Sequence, residues 1–209
     1  MRIEELVKKS YEKTALKYVR TFSKNPNYKL VLDRIIRKIP RGSNVLDAGC
    51  GAGVPVSRYL SKRFNVVGID ISSKMLSLAR KNVPGAEFKK MSMTDIEFAP
   101  NSFSLICSFF ALFHVSREEI PEVLKKFHEL LKDNGYLVLS LGELKEEKEH
   151  VSSFLGEKMY FTATTRKKLI KMLKGMGFKI IYFKFLFFKY GTEKEKTEKE
   201  SFIIAQKIK

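Results

Sequence analysis

The sequence predicts an α/β fold in which helices flank a doubly wound, mostly parallel sheet. From residue 44 onward, short apolar runs alternate with amphipathic helical stretches, and parallel strands require such helical crossovers. The first apolar run, NVLDA, leads into a glycine-rich turn, GCGAG. A polar connection too short for a crossover helix joins the last two apolar runs, so these are expected to pair antiparallel.

The predicted elements follow in order along the chain. Two amphipathic, Lys- and Arg-rich helices are expected first, over residues 2–23 and 27–39. Strands are predicted at 44–49, 65–70, 86–91, 103–110, 136–142, 178–188 and 200–208, with helices at 54–63, 72–82, 116–132 and 164–175. The Lys/Glu run at 193–200 is interpreted as a solvated hairpin tip.

Length and composition indicate one domain. A chain of 209 residues with 44% apolar side chains can bury one sizeable core. No apolar run reaches the roughly 18 to 20 residues of a membrane span, and the N-terminus lacks the apolar centre of a signal peptide. We therefore expect a cytoplasmic protein with no membrane association.

Charge and cysteine content narrow the function classes. A formal charge of +17 favours acidic partners such as nucleic acid, an anionic metabolite or a membrane surface, although a Lys- and Glu-rich composition also fits a heat-adapted protein. Cys50 and Cys107 lie in apolar segments without C-x-x-C spacing. Neither a disulfide framework nor a metal site is expected.

The glycine turn carries an acid, Asp47, just before it. A strand, a glycine turn and a helix bring backbone N–H groups close to a ligand. The dinucleotide fingerprint fails, because Val54 or Val56 stands where its last Gly or Ala belongs. A carboxylate beside a pyrophosphate would also repel it. Asp47 therefore favours a cationic ligand such as S-adenosylmethionine, whose carboxylate can use the N–H groups of the turn; the alternative is that it caps the turn.

The second strand ends in another acid, Asp70. An acid at this strand tip can accept both hydroxyls of a ribose, and the neighbouring Ile71 would lie against an adenine. The alternative is a capping role for Asp70 at the following helix.

These motifs carry a family resemblance. The segments VLDAGCGAG, VVGIDIS, NSFSLICSFFALFH and LKDNGYLVLS resemble those of class I S-adenosylmethionine-dependent methyltransferases, over roughly residues 5–209. The resemblance implies a seven-stranded Rossmann-like sheet of order 3-2-1-4-5-7-6 with the last strand antiparallel. It also implies an N-terminal helical lid over residues 1–40, a catalytic domain over 41–209, and S-adenosylmethionine as cofactor with S-adenosylhomocysteine as product.

The resemblance also implies cofactor contacts. Asp47, Gly49 and Gly51 would surround the methionine part, and Asp70 and Ile71 the ribose and adenine. The family acid that accepts from the adenine amino group is absent here, so Ser92 and the Met93 N–H are expected there, with Asp95 as a fallback. Ser108 and Phe109 would lie beside the methionine chain. The segment SYEKTALKY resembles a helix that folds over the cofactor, with Tyr11 in contact and Tyr18 packing; the alternative is that both are core anchors.

Other residues are expected near the acceptor. Phe110, Phe113 and His114 would lie above the reacting methyl, with His114 as the general base if one is needed, because its ordinary pKa is near neutral. A hydrogen-bonded packing role for His114 is the alternative. The segment 156–165 resembles one from an uncharacterised branch of the family, which makes its side chains candidates for a substrate wall or for packing: Tyr160, Phe161 and Thr162.

The expected function is methyl transfer to a small-molecule acceptor, for which an anionic acceptor is one option, by a monomer or homodimer. Three alternatives stay open. An RNA methyltransferase would use the basic surface, notably residues 166–189. A non-catalytic scaffold would retain the fold without turnover. A dehydrogenase is disfavoured by Asp47 and by the failed fingerprint.

Overall fold

A computed structural model gives the fold and describes residues 2–142, 147–190 and 196–208. The helices are α1 (Ile3–Phe22), α2 (Asn27–Leu32), α3 (Val56–Leu60), α4 (Ser73–Asn82), α5 (Ile120–Leu130) and α6 (Arg166–Gly175). The strands are β1 (Asn44–Ala48), β2 (Asn65–Asp70), β3 (Glu87–Lys90), β4 (Phe103–Phe109), β5 (Leu131–Gly142), β6 (Lys148–Phe154), β7 (Glu157–Ala163), β8 (Phe178–Tyr190) and β9 (Lys196–Lys207). Short 3₁₀ turns occur at Ile36–Lys38 and Leu112–His114.

The main sheet has seven strands in the order β3-β2-β1-β4-β5-β9-β8. The strands β1 to β5 pair in parallel, whereas β9 runs antiparallel to both β5 and β8. Counting only the strands of this sheet, β8 is the sixth and β9 the seventh, so the predicted order 3-2-1-4-5-7-6 and the antiparallel last strand are confirmed. The carboxyl ends of β1, β2 and β4 therefore meet at one edge of the sheet, where a ligand site is expected.

Apolar side chains cover both faces of the sheet. One buried cluster includes Leu46, Ile106 and Phe127 and is covered by α5 and α6. The other includes Val45 and Phe202 and is covered by α2 and α3. Since α2 and the turn that follows it contribute buried side chains to this second cluster, residues 27–39 belong to the core, and only α1 is placed as a lid would be.

Several element boundaries differ from those predicted. The second N-terminal segment forms only the six-residue α2 and a 3₁₀ turn, and the helix after the glycine turn is limited to the five residues of α3. A separate two-stranded sheet, β6–β7, was not predicted, because its strands alternate charged, polar and aromatic residues rather than forming an apolar run. This hairpin packs against α1.

The Lys/Glu run near the end of the chain is not all solvated. Strand β9 already begins at Lys196, and Glu200 is buried with 2% of its surface exposed. Its two carboxylate oxygens accept from the side-chain amides of Asn25 (2.6 Å) and Asn27 (2.7 Å). The prediction of a solvated tip over 193–200 is therefore wrong for Glu200, because these amides satisfy a charge that composition alone assigns to solvent. Residues 191–195 lie outside the described residues.

Within the described part of the chain, no helix is both long and apolar enough to cross a membrane.

Candidate functional site

A large cavity, here called the main cavity, opens at the carboxyl ends of β1, β2 and β4. It encloses about 1080 Å³ including its open mouth, and its walls come from these strand ends, the glycine turn, the 91–94 loop and α1. The helix α1 crosses the cavity like a lid and contributes Ile3, Glu4, Val7 and Tyr11 to its lining. The sheet edge thus supplies the floor and the N-terminal helix the cover.

The glycine turn has the backbone that its sequence predicts. Gly49, Gly51 and Gly53 have φ of 78°, 53° and 71°, a region that favours glycine. A Cβ at Gly49 would lie 2.2 Å from the Ala111 Cβ, whereas one at Gly51 would meet nothing within 4 Å. Close packing against Ala111 therefore requires glycine at position 49. Gly51 instead leaves space for a ligand beside the backbone.

Most N–H groups of this turn are already used within the protein. Those of Gly49 and Cys50 donate to the Ile69 carbonyl at 2.9 Å, and that of Gly53 donates to the Cys50 carbonyl at 2.9 Å. The Gly51 N–H donates to Asp70 Oδ2 at 2.9 Å. The expectation that a ligand carboxylate uses these particular donors is therefore wrong, because the turn consumes them to hold its own shape.

Asp47 lies at the end of β1, buried to 2% exposure, and lines the main cavity. Its Oδ2 accepts from the Ser57 hydroxyl at 2.5 Å. Burial raises the pKa of Asp47 to about 7, opposed by the Ser57 hydrogen bond and assisted by the charge of Asp70. The carboxyl group is thus poised to ionise when a cation approaches.

Asp70 and Ile71 lie at the end of β2 and also line the cavity. The two Asp70 oxygens accept from the backbone N–H groups of Gly51 (2.9 Å) and Ser72 (2.8 Å). Burial raises the pKa of Asp70 to about 6, while these two hydrogen bonds lower it. The carboxylate is held rigidly by backbone donors, and each oxygen retains acceptor capacity for hydroxyl groups.

The residues predicted at the adenine edge are only partly arranged as expected. Ser92 and Met93 line the cavity, but the Ser92 hydroxyl donates to Glu4 Oε2 of the lid helix at 2.8 Å. Thr94 N–H donates to the same hydroxyl at 3.2 Å. The fallback, Asp95, is exposed and does not belong to the lining.

His114 joins the lid helix to the β6–β7 hairpin. Its Nδ1 lies 2.7 Å from the Tyr160 carbonyl oxygen, and its Nε2 lies 2.8 Å from the Tyr11 hydroxyl. Since a carbonyl can only accept, Nδ1 carries the hydrogen and Nε2 accepts from Tyr11. Burial lowers the pKa of His114 to about 4. The premise of a near-neutral pKa is therefore wrong, and the imidazole is neutral at pH 7.

The residues predicted to form a substrate wall lie behind His114 rather than along the cavity. Tyr160 directs its hydroxyl away to Glu149 Oε1 at 2.6 Å, Phe161 packs against the His114 ring with centroids 5.1 Å apart, and Thr162 is buried. None of the three belongs to the lining, so in this structure they support His114 instead of forming the wall.

The fourth strand contributes one predicted residue and not another. Phe109 lines the main cavity, whereas Ser108 is fully buried on the opposite face of β4 and is absent from the lining. Side chains alternate between the two faces of a strand, so Ser108 and Phe109 point to opposite faces of the sheet. The prediction for Ser108 is wrong for this reason. Phe110 follows with a φ of 51° and also lines the cavity.

A second space adjoins the main cavity and was not predicted. This aromatic chamber, of about 350 Å³ including its open mouth, is lined by Glu200 and by rings from two helices, a loop and the hairpin: Tyr11, Tyr18, Phe22, Tyr28, Phe110, Phe113 and Phe154. Five of its rings also line the main cavity. Its members lie up to 189 positions apart in sequence, from Tyr11 to Glu200, so no local sequence motif predicts it.

Sequence reasoning also missed the anchor of the lid. Glu12 of α1 accepts from the Ser72 hydroxyl at 3.1 Å and from the Lys74 N–H at 3.2 Å, at the N-terminus of α4. An acid at this position caps the helix and interacts favourably with its dipole. The spacing of Glu4, Tyr11 and Glu12 along α1 is the only sequence signal that places them near one helix face.

Comparisons with known proteins agree with this architecture. A family model described as a methyltransferase domain matches residues 45–135. An uncharacterized methyltransferase of Oceanobacillus iheyensis is 25% identical over 151 residues, which cover 71% of this chain and 63% of that protein. Phosphoethanolamine N-methyltransferase 3 of Arabidopsis thaliana is 32% identical over 105 residues, which cover 47% of this chain and 21% of that protein. The chain thus spans less than two thirds of the length of these two relatives.

A solved structure is similar over most of its length. The crystal structure of an S-adenosylmethionine-dependent methyltransferase from Methanosarcina mazei superposes with a TM-score of 0.71 at 26% identity, covering 84% of this chain and 97% of the other. The fold is therefore shared with a protein of that description.

Proposed function

We propose, from the premise that this chain belongs to the class I S-adenosylmethionine-dependent methyltransferases, that it transfers a methyl group from S-adenosylmethionine to a small-molecule acceptor. The observation that carries the proposal is a pair of acids, the buried Asp47 and the partly buried Asp70, at the ends of adjacent strands in one cavity. One suits an ammonium group, and the other suits ribose hydroxyls.

The residues present fit this cofactor. Asp47 would hold the ammonium of the methionine part, the open space beside Gly51 would admit its chain, and Asp70 would accept from the ribose. Ile71 and Met93 supply apolar surface for the adenine, with the Met93 N–H proposed at its edge. We place Phe109 beside the methionine chain and Tyr11 over the cofactor from the lid. When bound, S-adenosylmethionine supplies a methyl group on a positively charged sulfur, which is an activated leaving group.

The chain's own residues then have to align the reactants, enclose them and exclude water from them. The lid helix does the enclosing, and it is tied down through Glu12 at the α4 N-terminus and through the Tyr11–His114 hydrogen bond. With its low pKa, His114 is better suited to orienting the Tyr11 hydroxyl than to acting as a strong base. We therefore propose Tyr11 as the group nearest the reaction and His114 as its positioning residue.

The small-molecule acceptor is supported by the apolar character of the site. The main cavity and the aromatic chamber lie beneath α1, and apolar and aromatic side chains dominate their walls. A relative named for phosphoethanolamine methylation is consistent with an acceptor of this size. For Phe110 and Phe113 we retain the proposal that they contact the acceptor.

The RNA alternative depends on a surface away from the site. No Lys or Arg belongs to the described lining of either space. The basic side chains of α6 are instead exposed to solvent. Binding of a tRNA or rRNA probe that weakens steeply with salt would favour it.

Two measurements test the proposal. Calorimetry with S-adenosylmethionine and S-adenosylhomocysteine should show micromolar to submillimolar binding of both. Incubation with S-adenosylmethionine labelled in its methyl group and a library of small amines, phenols and carboxylates should give a labelled product. A chain that binds neither nucleoside at millimolar concentration would instead be the non-catalytic scaffold, and the proposal would be rejected.

A further inference from the structure

The 91–94 loop, which follows β3, forms the edge of the main cavity where the adenine of the cofactor is expected. All four of its residues line the cavity, and Ile71 lines it from the end of β2. The free edge of adenine presents a ring nitrogen that accepts a hydrogen bond and a 6-amino group that donates hydrogen bonds. The Met93 N–H is proposed as the donor to the ring nitrogen, so the amino group still requires an acceptor.

The Ser92 hydroxyl is already fully engaged within the protein. An ionised carboxylate has no hydrogen to donate, so the Ser92 hydroxyl gives its single hydrogen to Glu4 Oε2 at 2.8 Å. The Thr94 N–H donates to Ser92 Oγ at 3.2 Å, and the Thr94 hydroxyl lies 2.8 Å from the same oxygen and is therefore the donor of that contact. Both lone pairs of Ser92 Oγ are thus occupied, and neither is left for an amino group.

Glu4 provides acceptor capacity at the same place. It lies in the first turn of the lid helix α1 and lines the main cavity. Within the described residues, its Oε2 accepts from Ser92, whereas no donor is bound to its Oε1. A carboxylate has about four acceptor positions on its two oxygens. The side chain can therefore accept from an amino group without giving up its bond to Ser92.

The other carboxylates of this lining are engaged elsewhere. Asp47 lies at the end of β1, and the two oxygens of Asp70 are held by backbone N–H groups at the end of β2. Glu119 accepts from a serine hydroxyl three residues before it, at the start of α5. Of the four acids in the described lining, Glu4 is the one with a described hydrogen bond to the 91–94 loop.

A carboxylate at this edge discriminates between purines. The amino group of adenine can donate to it, and a hydrogen bond to a charged acceptor is stronger than one between neutral groups. A purine without that amino group leaves the carboxylate without this partner. A purine with an oxygen at the same position would direct an acceptor at another acceptor, and sites built for a donor reject such ligands.

We infer that Glu4 accepts a hydrogen bond from the adenine amino group and thereby makes the site selective for an adenine nucleoside. This rests on the proposed use of S-adenosylmethionine at Asp47 and Asp70. Because Glu4 belongs to α1, the same bond fastens the start of the lid to the base, while Glu12 and Tyr11 hold the lid further along. Recognition of the base and closure of the lid are therefore coupled.

Calorimetry with two nucleosides tests the inference without requiring turnover. The probes are S-adenosylhomocysteine and its 6-desamino analogue, in which hydrogen replaces the amino group and the ring nitrogen is retained. Glu4 is exposed, so the lower end of the range for charged hydrogen bonds applies, and the wild type should prefer S-adenosylhomocysteine about tenfold. In Glu4→Ala this preference should fall below about twofold. In Glu4→Gln, whose amide oxygen accepts without a charge, it should be about threefold.

The ratio of the two affinities separates this contact from general damage to the site. A change that merely loosens the lid weakens both nucleosides equally and leaves their ratio unchanged. Glu5→Ala removes the neighbouring exposed acid, which pairs with Lys8 outside the lining, and should keep the tenfold preference. Glu119→Gln neutralises another acid of the same lining and should also keep it.

Amide hydrogen exchange in α1 tests the coupling to the lid. At saturation, S-adenosylhomocysteine should slow exchange in the first turns of α1 at least about threefold more than the 6-desamino analogue does. In Glu4→Ala the two nucleosides should protect α1 equally. Equal protection in the wild type would overturn the coupling.

The outcomes distinguish this inference from the proposed function. If the wild type binds both nucleosides equally, if Glu4→Ala retains the tenfold preference, or if Glu119→Gln abolishes it, the role of Glu4 is rejected while cofactor binding stands. If neither nucleoside binds at millimolar concentration, the proposed function fails and the inference fails with it.

Discussion

Replacing Asp47 by Asn would test the electrostatics of the main cavity most directly, because the variant loses a charge but keeps an oxygen that can accept from Ser57. The pKa of Asp47 is about 7 in the ligand-free protein, so about half of the molecules carry the charge at pH 7. A cationic ligand selects the charged form. Its apparent Kd is therefore the intrinsic Kd divided by the charged fraction.

The magnitude follows from that pKa. The charged fraction rises from about 0.09 at pH 6 to about 0.91 at pH 8, so the wild-type affinity for S-adenosylhomocysteine should rise about tenfold over this range. Asp70, with a pKa of about 6, adds about a further twofold in both proteins. The affinity of Asp47→Asn for S-adenosylhomocysteine should therefore rise only about twofold from pH 6 to pH 8. At pH 8 the variant should bind this ligand about 100-fold more weakly than the wild type does, a difference of about 2.7 kcal/mol in binding free energy.

The same substitution should have the opposite effect on the ligand-free protein. The folded pKa of Asp47 lies above its ordinary value of 3.8, so folding favours the protonated form, and stability falls as pH rises from about 4 to about 7. Asn does not titrate, so the variant does not lose this stability as the pH rises. The variant should be more stable than the wild type at pH 8, by up to about 4 kcal/mol, and the difference should narrow toward pH 4.

Calorimetry with S-adenosylhomocysteine at pH 6, 7 and 8, combined with urea denaturation over pH 4.5 to 8, measures both effects. The matched control is Asp95→Asn, which removes an exposed acid outside the lining. The electrostatic reasoning is refuted if Asp47→Asn binds as tightly as the wild type, or if it retains the tenfold dependence on pH.

Three other substitutions address the turn, the lid and the site. Gly49→Ala places a Cβ at a φ of 78° and 2.2 Å from its neighbour, so urea denaturation should show a loss of about 2 to 4 kcal/mol in the free energy of unfolding. Glu12→Ala removes the side chain that caps α4 and should lower stability by about 1 kcal/mol while speeding amide hydrogen exchange in α1. Tyr11→Phe removes the hydrogen bond to His114 and should lower kcat about tenfold, with cofactor affinity changed less than about threefold.

Two of these variants have a matched control elsewhere in the chain. Gly85→Ala adds a Cβ where nothing lies within 4 Å, so an equal loss of stability there would contradict the steric argument for Gly49. Glu5→Ala changes an exposed acid of the same helix, and equal exchange rates in the two Glu variants would exclude the capping role. Unchanged kcat in Tyr11→Phe would remove that hydroxyl from the mechanism.

Much of the fold could be predicted from local patterns. Strand, glycine turn and helix follow from β-branched apolar residues, positive-φ positions and spacing, all of which act over a few residues. Asp47 and Asp70 could be placed at one cavity because parallel strands bring their carboxyl ends to a common edge. The antiparallel pairing of β8 and β9 followed from the length of their connection alone.

What the tertiary structure decided depends on contacts between distant segments. The low pKa of His114 comes from burial beneath α1 and β7, and the burial of Glu200 in a polar run comes from two amides about 175 positions away. The aromatic chamber is assembled from five separate parts of the chain. Local sequence sets backbone preference and the direction of each side chain, but the solvation and charge state of a group are set by whatever packs against it.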